Sequence, residues 1–283
     1  IKERVNTMSG ANEIKIIRIP VPSPTLWPHV TTNCYLIGNR NSSILIDAGY
    51  NQPETKEVIE SVLREHNLAS PEKIVPTHHH HDHDLGVEQL KDWNAHIYCH
   101  QDEYAAITKL LPQIKNLHTL GEDDLIIVDT LEIQVIHAPG HTAGQMNFYI
   151  PTEEILVAGD NILGKGTTWI GAPDGDMSDY FQTLNRLKKL QLKRIGPGHG
   201  DWVKDPYEQI NFVLERRLAR EKQIISLLTE QGELTSEELT KMIYDNNIHP
   251  SIFEVAKRTV EAHLIKLMKE QTVMMRDFIY YIL

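Results

Sequence analysis

The chain has 283 residues, 41% hydrophobic and 24% charged, with a formal net charge of −11. Those proportions fit a soluble protein with a real core, built as one large domain or as a medium domain plus a small one. The negative charge argues against a surface that coats nucleic acid or binds anionic membranes, and no apolar run is long enough to span a bilayer.

Only two cysteines occur, Cys34 and Cys99, each in an apolar strand-like run, so buried free thiols are expected rather than a disulfide framework. The first twenty residues alternate through Ile14, Ile16 and Ile19 and lack the continuous apolar stretch of a secretion signal. A cytoplasmic location is expected, or a mitochondrial one if a leader was trimmed ahead of Ile1 in a eukaryotic form.

Strands and helices alternate over the first two hundred residues. Strands are expected at 13–19, 33–38 and 42–49, with Asn39-Arg40-Asn41-Ser42 turning the last two into a hairpin. Val58, Ile59, Val62 and Leu63 give 52–68 a helical period. A short strand at 73–78 runs into "HHHHDH", and "HIYCH" (96–100) is a strand followed by a helix from Gln101. Residues 125–141 read as two strands around a turn, and 145–160 as another strand pair. An amphipathic helix follows at 178–190, with Ser178 as its expected cap.

From Pro206 the pattern becomes helical. Ile210, Leu214, Leu218, Ile225 and Leu228 mark one long helix. Thr235 with Glu238, and Ser251 with Glu254, have capping-box spacing and open two more, the last carrying Ala256, Val260, Leu264 and Leu267. The β-rich end completes the order of a winged helix-turn-helix. The expected division is a catalytic domain over 1–205 and a winged-helix-like domain over 206–283.

Five histidines fall within residues 78–83. His78 and His80, two apart on an extended segment, can project to one side, and Asp82 and His83 add two donors on the turn after it. Four donors in six residues exceed what one tetrahedral catalytic zinc accepts while keeping a water, so the spacing predicts two metals. Three more donors sit in glycine-rich loops: His141 in "APGHTAG", Asp160 in "VAGDN" and His199 in "GPGHG". A carboxylate can bridge two ions, which suits Asp160. The totals then close at three histidines and the shared carboxylate on one ion, and two histidines, Asp82 and the same carboxylate on the other. His79 and His81 are left as non-ligands, because only the frame starting at His78 puts an Asp directly before the last histidine.

"THHHHDH" at 77–83, "GHT" at 140–142, "GD" at 159–160 and "GHG" at 198–200 resemble the metallo-β-lactamase superfamily. The resemblance implies an α+β fold, an αββα sandwich with the metals at one edge, followed here by a small winged-helix domain. It implies two zinc ions per chain, with Mn2+ or Fe2+ as alternatives. His78, His80 and His141 would hold the first, Asp82, His83 and His199 the second, and Asp160 would bridge. Asp47 in "LIDAG" matches the family's buried acid beneath the metals. Residues 160–187, 215–225 and 256–270 further resemble the β-lactamase-like protein 2 branch, whose animal members act as single-strand endoribonucleases. Zinc β-lactamases replace the bridging carboxylate with cysteine, and flavodiiron enzymes place a Glu where His80 stands. Glyoxalase-II-type thioesterases share all seven donors but not the winged tail.

The expected function is a dinuclear zinc-dependent hydrolase that uses a metal-bridging hydroxide, with Asp82 orienting the attacking oxygen and taking its proton. Single-stranded RNA or another phosphodiester is one substrate class, and a small ester, thioester or lactone the alternative. A non-enzymatic winged-helix regulator is a third reading, disfavoured by the intact donor set. Lys165 is a candidate leaving-group acid, and Lys165 and Tyr180 are expected near the pocket mouth. Residues 206–283 carry ten basic and twelve acidic side chains. Arg216, Arg217, Arg220, Lys222, Lys257 and Arg258 could form a narrow basic strip for phosphates, or a solvated face.

Overall fold

The computed structural model describes residues 4–7, 13–25, 30–244 and 249–283. Two compact units emerge. The first comprises Ile1–Ala138, Gly144–Gly166 and Gln191–Pro206, and the second Pro139–Ala143, Thr167–Leu190 and Tyr207–Leu283.

The first unit contains two sheets. One has seven strands in sequence order: β1 (Arg4–Thr7), β2 (Ile14–Pro22), β3 (Thr31–Gly38), β4 (Ser43–Ile46), β5 (Lys73–Val75), β6 (His96–His100) and β7 (Leu117–Leu120). Pairing is antiparallel through β4 and parallel from β4 to β7. The expected hairpin is present, its turn closed by Asn39 N–H donating to the Ser42 carbonyl at 2.9 Å. Parallel strands need crossovers. These are α1 (Pro53–His66), then a single turn α2 (His81–Asp84) running into a 3-10 segment (Leu85–Trp93), then α3 (Gln101–Leu110). The second sheet runs β12 (Arg194–Pro197), β11 (Ile155–Gly159), β10 (Met146–Ile150), β9 (Leu131–His137), β8 (Leu125–Val128), with only the β11–β12 pair parallel.

The sheet residues sort by alternation. On β3 and β4, Tyr35, Ile37, Ile44 and Ile46 join Ile133, Val135, Phe148 and Val157 between the two sheets. Cys34, Leu36 and Leu45 face the other way, against Ile59 and Val62 of α1 and Leu90 and Ile107 of the segments that follow. Both cysteines are buried free thiols, and burial raises both above the ordinary thiol range.

The second unit holds α4 (Met177–Leu187), α5 (Pro206–Gln231), β13 (Leu234–Thr235), α6 (Ser236–Ile243), α7 (Pro250–Lys269), β14 (Val273–Arg276) and β15 (Ile279–Ile282). Helix, helix, helix, hairpin is the expected order, with β13 added as a third strand pairing β15. Ile224, Leu228, Leu239, Val260, Leu264 and Val273 form the winged-helix core. The Thr235–Glu238 capping box is complete. The Ser251 side chain, the other expected cap, lies outside the described residues. Two expectations are corrected. The cap of α4 is Asp176, not Ser178: its Oδ1 accepts from both Ser178 N–H at 2.7 Å and Asp179 N–H at 3.1 Å, while Oδ2 accepts from Lys269 Nζ at 2.6 Å. Leu218 is exposed rather than on the buried stripe of α5.

Candidate metal centre

The site grows from the carboxyl end of β5, where the chain leaves the sheet at Pro76 and must satisfy its next backbone groups otherwise. Asp47, just past the end of neighbouring β4 and fully buried in the left-handed region (φ 59°), supplies them. Its Oδ1 accepts from Thr77 N–H at 2.6 Å. Its Oδ2 accepts from Thr77 Oγ1 at 3.2 Å and from His83 Nδ1 at 2.9 Å. The Thr77 hydroxyl, having given its proton to Asp47, accepts from His78 Nδ1 at 2.9 Å. One buried carboxylate thereby fixes the tautomer of two histidines, leaving the lone pair of each ring on Nε2. His199 is set the same way, Nδ1 against the Thr31 carbonyl at 2.9 Å.

Those lone pairs converge on carboxylates. His83 Nε2 lies 3.5 Å from Asp82 Oδ2 and 3.4 Å from Asp160 Oδ1. His199 Nε2 lies 3.3 Å from Asp82 Oδ2 and 3.4 Å from Asp160 Oδ2. Ligand bonds of 2.0–2.2 Å in a tetrahedron put donors about 3.3 Å apart. The two separations from Asp82 Oδ2 match edges of a tetrahedral zinc shell that His83 and His199 complete, while Asp160 meets the two rings with different oxygens. His83 Nε2 is fully buried and makes no hydrogen bond. A buried lone pair facing two carboxylates is costly unless a cation sits among them. The residues thus fit a metal ion.

The same crowding shows in the titration of the bare side chains. Burial alone would lower His199, but Asp160 and Asp82 outweigh it and push the ring up to about 10. His83 rises for the same reason, against burial, through Asp82, Asp47 and Asp160. Burial would raise Asp82 and Asp160, yet His83 and His199 hold both well below the usual carboxylate range. Asp82 also accepts from the Thr32 hydroxyl at 2.7 Å. Asp84 takes no part. It is buried, hydrogen-bonded through neither oxygen, and burial pushes it up to about 8.

Of the seven expected ligands, the first unit brings six into one neighbourhood. His78, His83 and Asp160 form one donor cluster and Asp82, His83 and His199 another, each with its ligand atoms within 4.8 Å. The His80 ring stands edge-on to His78 with centroids 4.6 Å apart. His141 belongs to the second unit, where it is buried with Nδ1 against the Trp169 carbonyl at 2.7 Å, again leaving the lone pair on Nε2.

The glycines of this region are required by approach. A Cβ on Gly198 would stand 2.0 Å from Asp160 Oδ1 and 3.0 Å from His83 Cε1. Gly140 has φ 136° and its Cβ position lies 2.4 Å from the Tyr180 backbone. Asn33 ties the His199 turn to β3, its amide donating to the Pro197 and Gly200 carbonyls, both at 2.8 Å.

Sequence reasoning missed Glu103. This residue of α3 is buried, and Oε2 accepts from His79 N–H at 2.9 Å and contacts His79 Nδ1. Oε1 accepts from Gly144 N–H at 2.7 Å. Glu103 therefore pins the His78–His80 segment and Gly144 to one another. His79 is an anchor rather than a spacer, whereas His81 is exposed.

The expected basic strip is broken up within the second unit. Arg217 is buried, its guanidinium contacting the Thr168 carbonyl and standing 5.8 Å over the Tyr180 ring. Arg220 lies over Tyr244, and Arg258 donates to the Ala172 carbonyl at 3.3 Å. Tyr180 is fully buried, which corrects its expected place at a pocket mouth, while Lys165 is exposed.

Comparison with known proteins agrees with this geometry. The metallo-beta-lactamase superfamily profile matches residues 27–199, and the beta-lactamase associated winged helix domain matches 235–278. The beta-lactamase-like protein 2 homolog of Caenorhabditis elegans is 33% identical over 218 residues, 75% of this chain and 70% of that protein. An atrochrysone carboxyl ACP thioesterase of Cryptosporiopsis sp. is 24% identical over 269 residues, 90% of this chain and 80% of its own length. A metallo-beta-lactamase family protein from Thermus thermophilus superposes with a TM-score of 0.79 at 23% identity, covering 95% of this chain and 98% of that one. The chain belongs to the metallo-beta-lactamase superfamily, in the branch that joins this fold to an associated winged helix.

Proposed function

We propose that the protein is a dinuclear zinc-dependent hydrolase of a small ester or thioester. The observation that carries the hydrolytic reading is the convergence of the His83 and His199 lone pairs with Asp82 and Asp160 at 3.3–3.5 Å. His78, His80 and, by motif order, His141 are assigned to the first ion. Asp82, His83 and His199 are assigned to the second, with Asp160 shared. Such a pair of ions, when bound, supplies a nucleophile near neutral pH and polarises the scissile oxygen. The protein's own part is to hold each donor in one tautomer. Asp47 does this for His83 and, through Thr77, for His78. Asp82, steadied by the Thr32 hydroxyl, is the acceptor for the proton of the attacking oxygen.

The ester or thioester class rests on the thioesterase relative, which matches most of this chain, and on the loss of Arg217 from any phosphate-binding strip. Single-stranded RNA is the second reading, favoured by likeness to the beta-lactamase-like protein 2 homologs. A panel of acyl thioesters, aryl esters, lactones and single-stranded oligoribonucleotides, assayed with zinc-loaded wild type and Asp82→Ala, decides. Thioester turnover lost in Asp82→Ala supports the proposal. Oligonucleotide cleavage alone, weakening steeply with salt, replaces it with the phosphodiester reading. Bound metal with no turnover of any substrate defeats both.

A further inference from the structure

A second group of metal donors lies within the first unit, built from residues the proposed reaction does not use. His100 ends β6 and caps α3, Asp102 is in the first turn of α3, and His137 ends β9 of the other sheet. Their ligand atoms all lie within 4.8 Å of one another. His100 Nδ1 is 3.4 Å from Asp102 Oδ2, close to the donor spacing of about 3.3 Å in a tetrahedral zinc shell. The His100 and His137 rings stack with centroids 4.0 Å apart and planes 7° from parallel.

We infer that His100, Asp102 and His137 form a further binding site for a borderline transition-metal ion such as Zn2+, independent of the seven-donor centre. Two imidazoles and one carboxylate select Zn2+, Ni2+ or Cu2+ over Mg2+ or Ca2+, which prefer all-oxygen shells. Face-to-face rings cannot both aim a lone pair at one point, so loading turns one of them. Both histidines are partly buried and Asp102 is exposed, so water can complete the shell. An ion here takes over the Nδ1 lone pair that now accepts the 3.2 Å cap bond from Asp102 N–H.

The location gives the site a consequence. Asp102 directly precedes Glu103, the carboxylate that pins His79 and Gly144. An ion joining His137 to the start of α3 would brace the helix that holds the HHHHDH segment in place. The neighbouring pair, His96 and His118, makes a useful contrast. These rings hydrogen-bond to each other at 3.0 Å, and no described carboxylate joins them in a donor cluster.

The test is metal content of the full chain after equilibration with micromolar zinc and gel filtration. The His100→Ala/His137→Ala variant should carry about one zinc per chain fewer than wild type, and His96→Ala/His118→Ala the wild-type amount. Asp102→Asn, an exposed change, should weaken the extra ion at least the roughly tenfold that loss of an outer-shell partner costs, and it decides the matter should the double variant fail to fold. Equal zinc in wild type and His100→Ala/His137→Ala, an equal loss in the His96/His118 control, or unchanged affinity in Asp102→Asn would overturn the site. The count does not depend on catalysis, so its failure is separate from failure of the hydrolase reading.

Discussion

Asp47 is the residue on which the centre turns. Its two oxygens fix the Thr77 backbone, the Thr77 hydroxyl and the His83 ring. Asp47→Asn keeps the shape and tolerates the left-handed backbone, but turns one acceptor into a donor facing donors. Zinc affinity, measured by competition with a chelator, should fall roughly 10- to 100-fold. An unchanged affinity would show that His83 is held by its packing instead. His79 and His81, neighbours in sequence, should part company. His81→Asn should leave metal content and melting temperature unchanged, whereas His79→Asn should cost about 1–3 kcal/mol in denaturant unfolding, because Glu103 then loses a partner in a buried place. The sequence marked His78, His80, Asp82 and His83 through their spacing. It could not mark Glu103, because the contact spans 24 residues and carries no local pattern.

At the scale of elements, α5 and α7 are stapled by one buried acid. Glu221 accepts from His263 Nδ1 at 3.1 Å and from Lys266 Nζ at 3.0 Å. Burial would raise Glu221, but the bonds from His263 and Lys266 outweigh it and hold its carboxyl below the usual range. A depressed carboxyl contributes stability above its unfolded value near 4.5 and loses it as pH falls through the folded value. The second unit should therefore soften below about pH 4.5 in wild type. Glu221→Gln should lose on the order of 2 kcal/mol at about pH 7 and flatten that acid limb. An acid limb equal in both proteins would assign it to other carboxylates. Capping shows where local reading succeeds and fails. Thr235 and Glu238 are a reciprocal pair, legible three residues apart. At α4, Ser178 and Asp176 are both good caps, and only the backbone showed that the helix begins earlier than Ser178. The short edge strands β1, β7 and β13 were missed because two to four residues carry no readable period.

For the whole molecule, β3, β4, β10 and β11 were legible because strands covered on both faces read as nearly continuous apolar runs, while β9 alternates. The division into units was not, because 139–143 and 167–190 join the second unit by contacts that no periodicity records. Metal removal tests how far fold and centre are separable. The Asp47 and Glu103 bonds reach backbone as well as side chains, so the frame should survive chelation. Far-UV circular dichroism should be unchanged in excess chelator, while the melting temperature drops by an amount that grows with the free-zinc concentration of the reference sample. Collapse of the dichroism would instead make the ions part of the folding nucleus.

Gly198 offers a practical use. Replacing Asp82 or Asp160 by an uncharged residue to silence such a centre changes charge as well as structure, which confuses any binding measurement made with the result. Gly198→Ala retains every donor and the net charge, yet places a methyl group at the position 2.0 Å from Asp160 Oδ1. It is a steric wedge rather than a deletion, displacing the Asp160 carboxylate from His83 and His199. A protein so altered keeps every ionisable side chain of wild type but should lose turnover, the reference against which substrate capture can be weighed.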